Sequence, residues 1–332
     1  MDDPLLNPLG EVLERVDARL LSPEEDARIW PTGFPLLDDA LGGGLRAGGL
    51  NLLAGAQGEG KTTFALQIAR GVARVGRPVL FFSFELEAEV LLQKVISAEA
   101  ADLGFEDGVT VYQVRAAFEG TDDTDGGLPE RLRRYTGGLD ALEKVASYAQ
   151  KMLIHRSTTT QTNLGVIATA VKDVITEFGE PPLIVIDYLQ KVRPLEAMNE
   201  EESVTAVTEG LKDIAIEYEC PVLALSASDR AGLEPGQRMR ARNMKGSTAL
   251  AYEADVVIVL ANKADIVARH HLMYAGDNGE HFRNYSVMTL EKNRSGRAGA
   301  ELEFRKDFGR GRFEPDGAVV SEKLVDERVF TE

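Results

Sequence analysis

Apolar and polar positions follow two rhythms along this chain. Residues 78–83, 183–187, 221–226 and 256–261 are short, continuous apolar runs, the pattern of strands buried on both faces. Between them, around 62–75, 86–102, 163–178 and 204–218, apolar residues recur at helical spacing. Repeated units of this kind predict an α/β fold: a mostly parallel, twisted sheet with helices on both faces. Near the end, Tyr285-Ser-Val-Met-Thr-Leu-Glu-Lys292, a turn with Ser295-Gly296, and Ala300-Glu-Leu-Glu-Phe304 read as a C-terminal β-hairpin. Near the start, Leu9, Val12, Leu13, Val16 and Leu20 form one helical stripe with charged residues between them, closed by Ser22-Pro23. Residues 119–127 and 231–244 carry the turn chemistry of loops.

One interruption of this pattern is chemically specific. Gly55-Ala-Gln-Gly-Glu-Gly-Lys-Thr62 matches G-x-x-x-x-G-K-[ST], after the apolar run 50–54 and before a helical run that opens Phe64-Ala-Leu-Gln-Ile-Ala69. Strand, glycine loop and helix start is the context in which such a loop cradles phosphate on backbone amides and the helix dipole. The nucleotide-binding set is Gly55, Ala56, Gln57, Gly58, Glu59, Gly60, Lys61, Thr62 and Thr63. Lys61 would reach the β- and γ-phosphates, and Thr62 would ligate Mg²⁺.

Composition narrows the setting. The chain has 332 residues, of which 44% are hydrophobic, enough for a large core. The start, Met1-Asp2-Asp3, lacks a signal-peptide pattern, and no apolar run is long enough to span a bilayer. Cys220 is the only cysteine, so no intrachain disulfide forms, and a cytoplasmic location is expected. No histidine has a Cys/His partner at zinc-ligand spacing. The net charge of −17 opposes nucleic acid at long range, so any polynucleotide contact must be local.

Further candidates lie at strand ends and turns. Asp187 ends the most apolar strand, at the carboxyl edge where parallel sheets bind ligands, and is placed to hold Mg²⁺ through water. Glu85 follows the strand after the phosphate-binding helix. It fits a general base for the attacking water; the alternative is a residue favoured only by a helix dipole. Lys292, Arg294 and Arg297 lie at the hairpin turn, where composition alone makes them solvated charges. Arg238, Arg240, Arg242 and Lys245 are the densest basic cluster, suited to strand phosphates or simply to an exposed charged loop.

Together these residues resemble the RecA-like ATPase domain of the DnaB replicative helicase family, from about Thr32 to Gly317. Thr32-Gly-Phe-Pro-Leu-Leu-Asp-Asp-Ala-Leu41 is similar to its entry motif, and Val79-Leu-Phe-Phe-Ser-Phe-Glu85 to the strand carrying its catalytic glutamate. Leu183-Ile-Val-Ile-Asp-Tyr-Leu-Gln190 is similar to its Walker B signature, followed by Pro221-Val-Leu-Ala-Leu-Ser226 and Ala254-Asp255. Glu291-Lys-Asn-Arg294 resembles its K-x-R hairpin, which implies that Lys292 and Arg294 reach a neighbour's γ-phosphate, and Arg312-Phe-Glu-Pro-Asp-Gly317 resembles its ending. The resemblance implies a ring of six subunits hydrolysing ATP with Mg²⁺, single-stranded DNA in the channel, and a loader or other replication protein as partner.

The chain also departs from that family. Ala227 stands where the family has a glutamine that couples γ-phosphate to the DNA loops, and residues 196–202 hold four glutamates where it often contacts DNA. The stretch before Thr32 matches a linker helix and not the family's N-terminal helical domain. Leu41-Gly-Gly-Gly-Leu45 and Met244-Lys-Gly-Ser247 look more like RadA or KaiC relatives, which implies the alternative of a nucleotide-gated assembly regulating protein partners. The expected organisation is a helical arm over 1–30, a RecA-like P-loop domain over 31–317 and a charged tail over 318–332.

Overall fold

The structure is a computed structural model that describes residues 8–21, 28–121, 125–194, 199–229, 237–246, 249–274 and 279–326. Glu196, the first part of the 231–244 loop, Ser247 and the end of the tail lie outside the described residues.

Ahead of the main sheet, β1 (Ile29–Trp30) pairs antiparallel with β2 (Leu45–Arg46) across the short helix α2 (Pro35–Leu41). The apolar runs form a parallel sheet. Strands β3 (Leu50–Gly55), β4 (Val79–Ser83), β6 (Leu183–Asp187) and β7 (Val222–Ser226) are buried along their whole length, and β8 (Val256–Asn262) over its first five residues. With β5 (Met152–Arg156) they run in the order β8-β3-β7-β6-β4-β5, every neighbouring pair parallel. Both faces are covered, so alternate residues of one strand enter different cores. Leu53 packs with Phe34, Phe64, Phe81, Val185 and Ile258, while Leu50, Leu52 and Ala54 pack with Phe82, Ile186 and Ala224 on the other side.

The hairpin extends this sheet on one edge. β9 (Tyr285–Asn293) is antiparallel to β8, and β10 (Glu301–Asp307) to β9. Two short strands, β11 (Arg312–Phe313) and β12 (Ala318–Val319), pair with β10. The expected tail thus begins as sheet, and it continues across the domain through a Val267–Leu324 bridge.

Helices follow the periodic segments. α3 (Lys61–Arg74), α4 (Ala88–Asp102), α8 (Leu164–Phe178) and α9 (Glu200–Glu217) match the expected helices within a few residues. α9 starts earlier than its apolar period because Asn199 and Glu202 form a capping box. Three of the four glutamates expected in a loop, Glu200, Glu201 and Glu202, are therefore first-turn helix residues, where negative charge suits the dipole. Between α4 and β5, the helices α5 (Val111–Glu119), α6 (Leu128–Leu132) and α7 (Gly138–Tyr148) pack as an insert beside α4.

Buried charge ties these layers together. Arg70 on α3 donates to Glu99 (2.8 Å) and Asp102 (2.6 Å) on α4, and Tyr148 of α7 donates to Glu99 (2.9 Å). Arg312 of β11 donates to the second oxygen of Asp102 at 2.6 Å. Removing one member of such a network leaves a buried charge unpaired, at a cost of about 3–5 kcal/mol. By contrast, α1 (Leu9–Leu21) buries none of its residues: Leu9, Leu13, Leu20 and Leu21 stand more than two-thirds exposed. Among the described residues, no helix is long and apolar enough to cross a membrane.

Candidate nucleotide and strand sites

The glycine loop joins β3 to α3 at the carboxyl edge of the sheet. Gly60 caps α3 at φ +89°, a left-handed conformation that favours glycine. A Cβ there would also lie 2.6 Å from the ring of Phe308 and 2.9 Å from that of Phe313. The Lys61 ammonium donates to the carbonyls of Gly55 (2.8 Å) and Ala56 (2.9 Å), so it spans the loop it serves. Burial lowers its pKa, while Asp187, Glu59 and Glu85 oppose that shift. Thr63, in the first turn of α3, is buried.

Thr62 and Asp187 meet although 125 residues separate them in sequence. The Thr62 hydroxyl donates to Asp187 Oδ2 at 2.8 Å. Asp187 is 3% exposed, and burial pushes its carboxyl up from 3.8 to about 6; Glu85 adds to the rise, against the Thr62 bond and Lys61. Glu85 arrives by register: Ser83 of β4 pairs with Asp187 of β6, and the chain leaves the sheet there. Unlike Asp187, Glu85 is exposed. A hydroxyl and one buried carboxylate are hard oxygen donors, a set that fits Mg²⁺ completed by phosphate and water. Among the described residues, no group of three or more His, Cys, Asp or Glu forms a metal cage.

The hairpin region closes over this loop, which the sequence pattern did not signal. Phe308 and Phe313 flank Gly60, and Gln67 of α3 exchanges two 2.9 Å hydrogen bonds with the Phe313 backbone. Lys306 of β10 lies near Glu59. Burial raises the Glu59 carboxyl to about 7, against the pull of Lys306. Phe313 belongs to the Arg312–Gly317 ending that resembles the family's; Phe308 lies in no motif of the sequence.

Lys292 and Arg294 sit elsewhere. On β8, Leu260 pairs with Gly55, whereas Val257 pairs with Lys292 and Val256 with Asn293. Lys292 therefore lies three residues back from the glycine loop and Arg294, bonded to the Asp255 carbonyl, five, about 10–17 Å along the strand axis and two strands to the side. Lys292 donates to the carbonyls of Ala251 and Tyr252, both at 2.8 Å, in α10 (Ala249–Glu253). Arg294 is exposed and donates to Tyr252 O (2.6 Å) and Asp255 (3.3 Å).

The basic cluster is divided. Arg238 is 6% exposed and donates to Thr289 (2.7 Å) and Glu301 (2.5 Å). Arg240 donates to Glu291 (2.7 Å) and Asp326 (2.9 Å). These two guanidiniums are held by the hairpin and the C-terminal strap, so neither is a free surface cation as the sequence pattern suggested. Arg242 is exposed, and Lys245 pairs with Glu200 at 2.7 Å on the surface. Gln190, the last residue of the Leu183–Gln190 segment, joins this loop to the sheet edge: it accepts from Ala227 N (3.2 Å) and donates to Ser226 Oγ (3.0 Å) and Lys245 O (2.8 Å).

A glycine loop, a threonine–aspartate pair and a strand-end glutamate on a mostly parallel sheet define a RecA-like P-loop ATPase fold. The chain belongs to the DnaB-like helicase C-terminal domain family, whose pattern matches residues 30–110 and 130–314. It is 27% identical over 286 residues to the replicative DNA helicase DnaB of Geobacillus stearothermophilus, covering 84% of this chain and 55% of that protein. A probable replicative DNA helicase of Trieres chinensis is 26% identical over 283 residues, covering 81% of this chain and 54% of that protein. The chain thus spans about half the length of these relatives. Its fold is similar to a solved ATPase domain (TM-score 0.73, 20% identity, 93% of this chain and 98% of the other). It is also similar to a DnaB-like replicative helicase described with its interactions with primase (TM-score 0.71, 19% identity, 93% and 68%).

Proposed function

We propose that this domain is the Mg²⁺-ATP-hydrolysing motor of a DnaB-like helicase, working as a six-subunit ring on single-stranded DNA in the cytoplasm. The observation that carries the proposal is the split between the two ends of the sheet. Lys61, Thr62, Asp187 and Glu85 converge at one end, while Lys292 and Arg294 sit at the other. A phosphoryl-transfer site needs cations on the transferring group, and here they come from an adjacent subunit.

Bound nucleotide would lie on the loop amides with Lys61 at its phosphates. Mg²⁺, held by Thr62 and by Asp187 through water, would neutralise charge on the phosphates. Glu85, solvent-facing beside that pair, would take the proton of the attacking water. The apolar stripe of α1 has nothing of its own chain buried against it among the described residues, which supports docking on a neighbouring subunit. Arg242 and Lys245 are the cations offered to the strand. The Lys245–Glu200 pair is a surface pair of small worth, readily exchanged for a phosphate. A loader or another replication protein, such as primase, is the partner class.

Steady-state ATP hydrolysis with and without single-stranded DNA, at several salt concentrations, tests this. Stimulation that fades steeply as salt rises is expected. Hydrolysis indifferent to the strand would favour a RadA/KaiC-like assembly gated by nucleotide.

A further inference from the structure

Lys292 and Arg294 are long side chains at a strand end, and each needs a support to hold one direction. Asp255, between α10 and β8, is fixed from several sides. Its Oδ2 accepts from Leu50 N (2.8 Å) and from Lys212 Nζ (2.7 Å), and its backbone N–H donates to Leu50 O at 2.8 Å. Lys212 is held in turn by the Gly48 carbonyl at 2.7 Å. The other carboxylate oxygen of Asp255 faces Arg294 Nη1 at 3.3 Å, and its carbonyl accepts from Arg294 N at 2.9 Å. The last carbonyls of α10, orphan acceptors at a helix end, take the remaining bonds from Arg294 and Lys292.

We infer that Asp255 is the positioning residue of this cation pair: anchored to β3 and Lys212, it orients Arg294 toward a neighbouring subunit's phosphate. A guanidinium fork has five N–H donors, so one edge can rest on a carboxylate while the other binds phosphate. Arg294 is half exposed, and Nη1 and Nη2 each carry a second N–H beyond the bonds to Asp255 and Tyr252, whereas Asp255 is only 19% exposed and tied to backbone. A carboxylate held this firmly on an exposed arginine adds little stability. Its worth lies in geometry, where a misplacement of about 1 Å costs on the order of a hundredfold in rate. The inference rests on the proposal that Lys292 and Arg294 act in trans, and its test separates the two.

Asp255→Asn keeps an oxygen for Leu50 N but loses the charge that orients Arg294. Asp255→Glu keeps the charge and moves it by one methylene. Both are expected to lower the full chain's ATP turnover by about tenfold to a hundredfold, with unchanged binding of a fluorescent ATP analogue, which also reports folding. Mixing Asp255→Asn with Lys61→Ala should restore turnover beyond the sum of the separate proteins, because the Lys61→Ala subunits supply well-placed fingers to intact loops. Arg294→Ala mixed with Lys61→Ala should behave alike. Wild-type turnover in Asp255→Asn would overturn the inference, as would an inert mixture while the Arg294→Ala mixture recovers. If Asp255→Asn does not bind the analogue, Asp255→Glu carries the same mixing test. If Arg294→Ala turns over normally or is not rescued, the trans reading fails, and the role of Asp255 falls with it.

Discussion

The two ends of the central sheet are built differently. At the carboxyl end, Lys61, Thr62, Asp187 and Glu85 are brought together by backbone register within one chain, and the critical carboxylate is buried. At the hairpin end, Lys292 and Arg294 rest on helix-end carbonyls and Asp255, and Arg294 stays exposed. On the proposed reading, each chain carries the loop half of one site and the cation half of another. That reading has the first half bind nucleotide alone and the second act only where two subunits meet.

The largest expected effect breaks the second half. Arg294→Ala should lower ATP turnover by about a thousandfold or more, the scale of an arginine finger, while nucleotide affinity measured by fluorescence stays at the wild-type value. A parallel loss of affinity would show that Arg294 supports its own loop. Glu85→Gln probes the first half and should cost about a hundredfold or more in turnover with binding retained. Unchanged turnover would leave Glu85 as a residue at a helix start.

Asp187 makes the carboxyl end sensitive to pH. Its folded pKa of about 6 lies above the ordinary 3.8, so the fold disfavours the ionised form. The stability this contributes is present below about 3.8 and lost as pH rises through about 6. Asp187→Asn should therefore stabilise the metal-free chain by about 3 kcal/mol at pH 8, shrinking below about 1 kcal/mol by pH 4. Urea unfolding at both pH values measures it; a difference independent of pH would mean that Asp187 is not strained by burial. The same variant should lose Mg²⁺-dependent turnover.

The smallest effect concerns the strand loop. Arg242→Glu with Lys245→Glu should weaken single-strand binding and flatten its salt dependence by about one unit of slope per cation, while turnover without DNA stays intact. An unchanged slope would place the strand elsewhere.

What was legible in the sequence follows from the physics of each element. The glycine loop, Asp187 and the buried strands were readable because two-sided burial enforces continuous apolar runs. β5 was not: Met152-Leu-Ile-His-Arg156 is a half-buried edge strand with polar residues, so its pattern is diluted. The insert from α5 to α7 was missed as well, although Thr110 and Gln113 form a capping box that marks its first helix. The pairing of Arg238 with Glu301 and of Arg240 with Asp326 joins residues 63 and 86 positions apart, which no local pattern shows. A basic run reads alike whether its charges are paired or free. The aromatic closure by Phe308 and Phe313 is equally non-local.

The most direct test of the two-half account is specific ATPase activity as a function of protein concentration, followed together with mass by light scattering. Specific activity should rise with concentration in step with the ring mass, because the cation half works only across an interface. Constant specific activity from a species of monomer mass would contradict it.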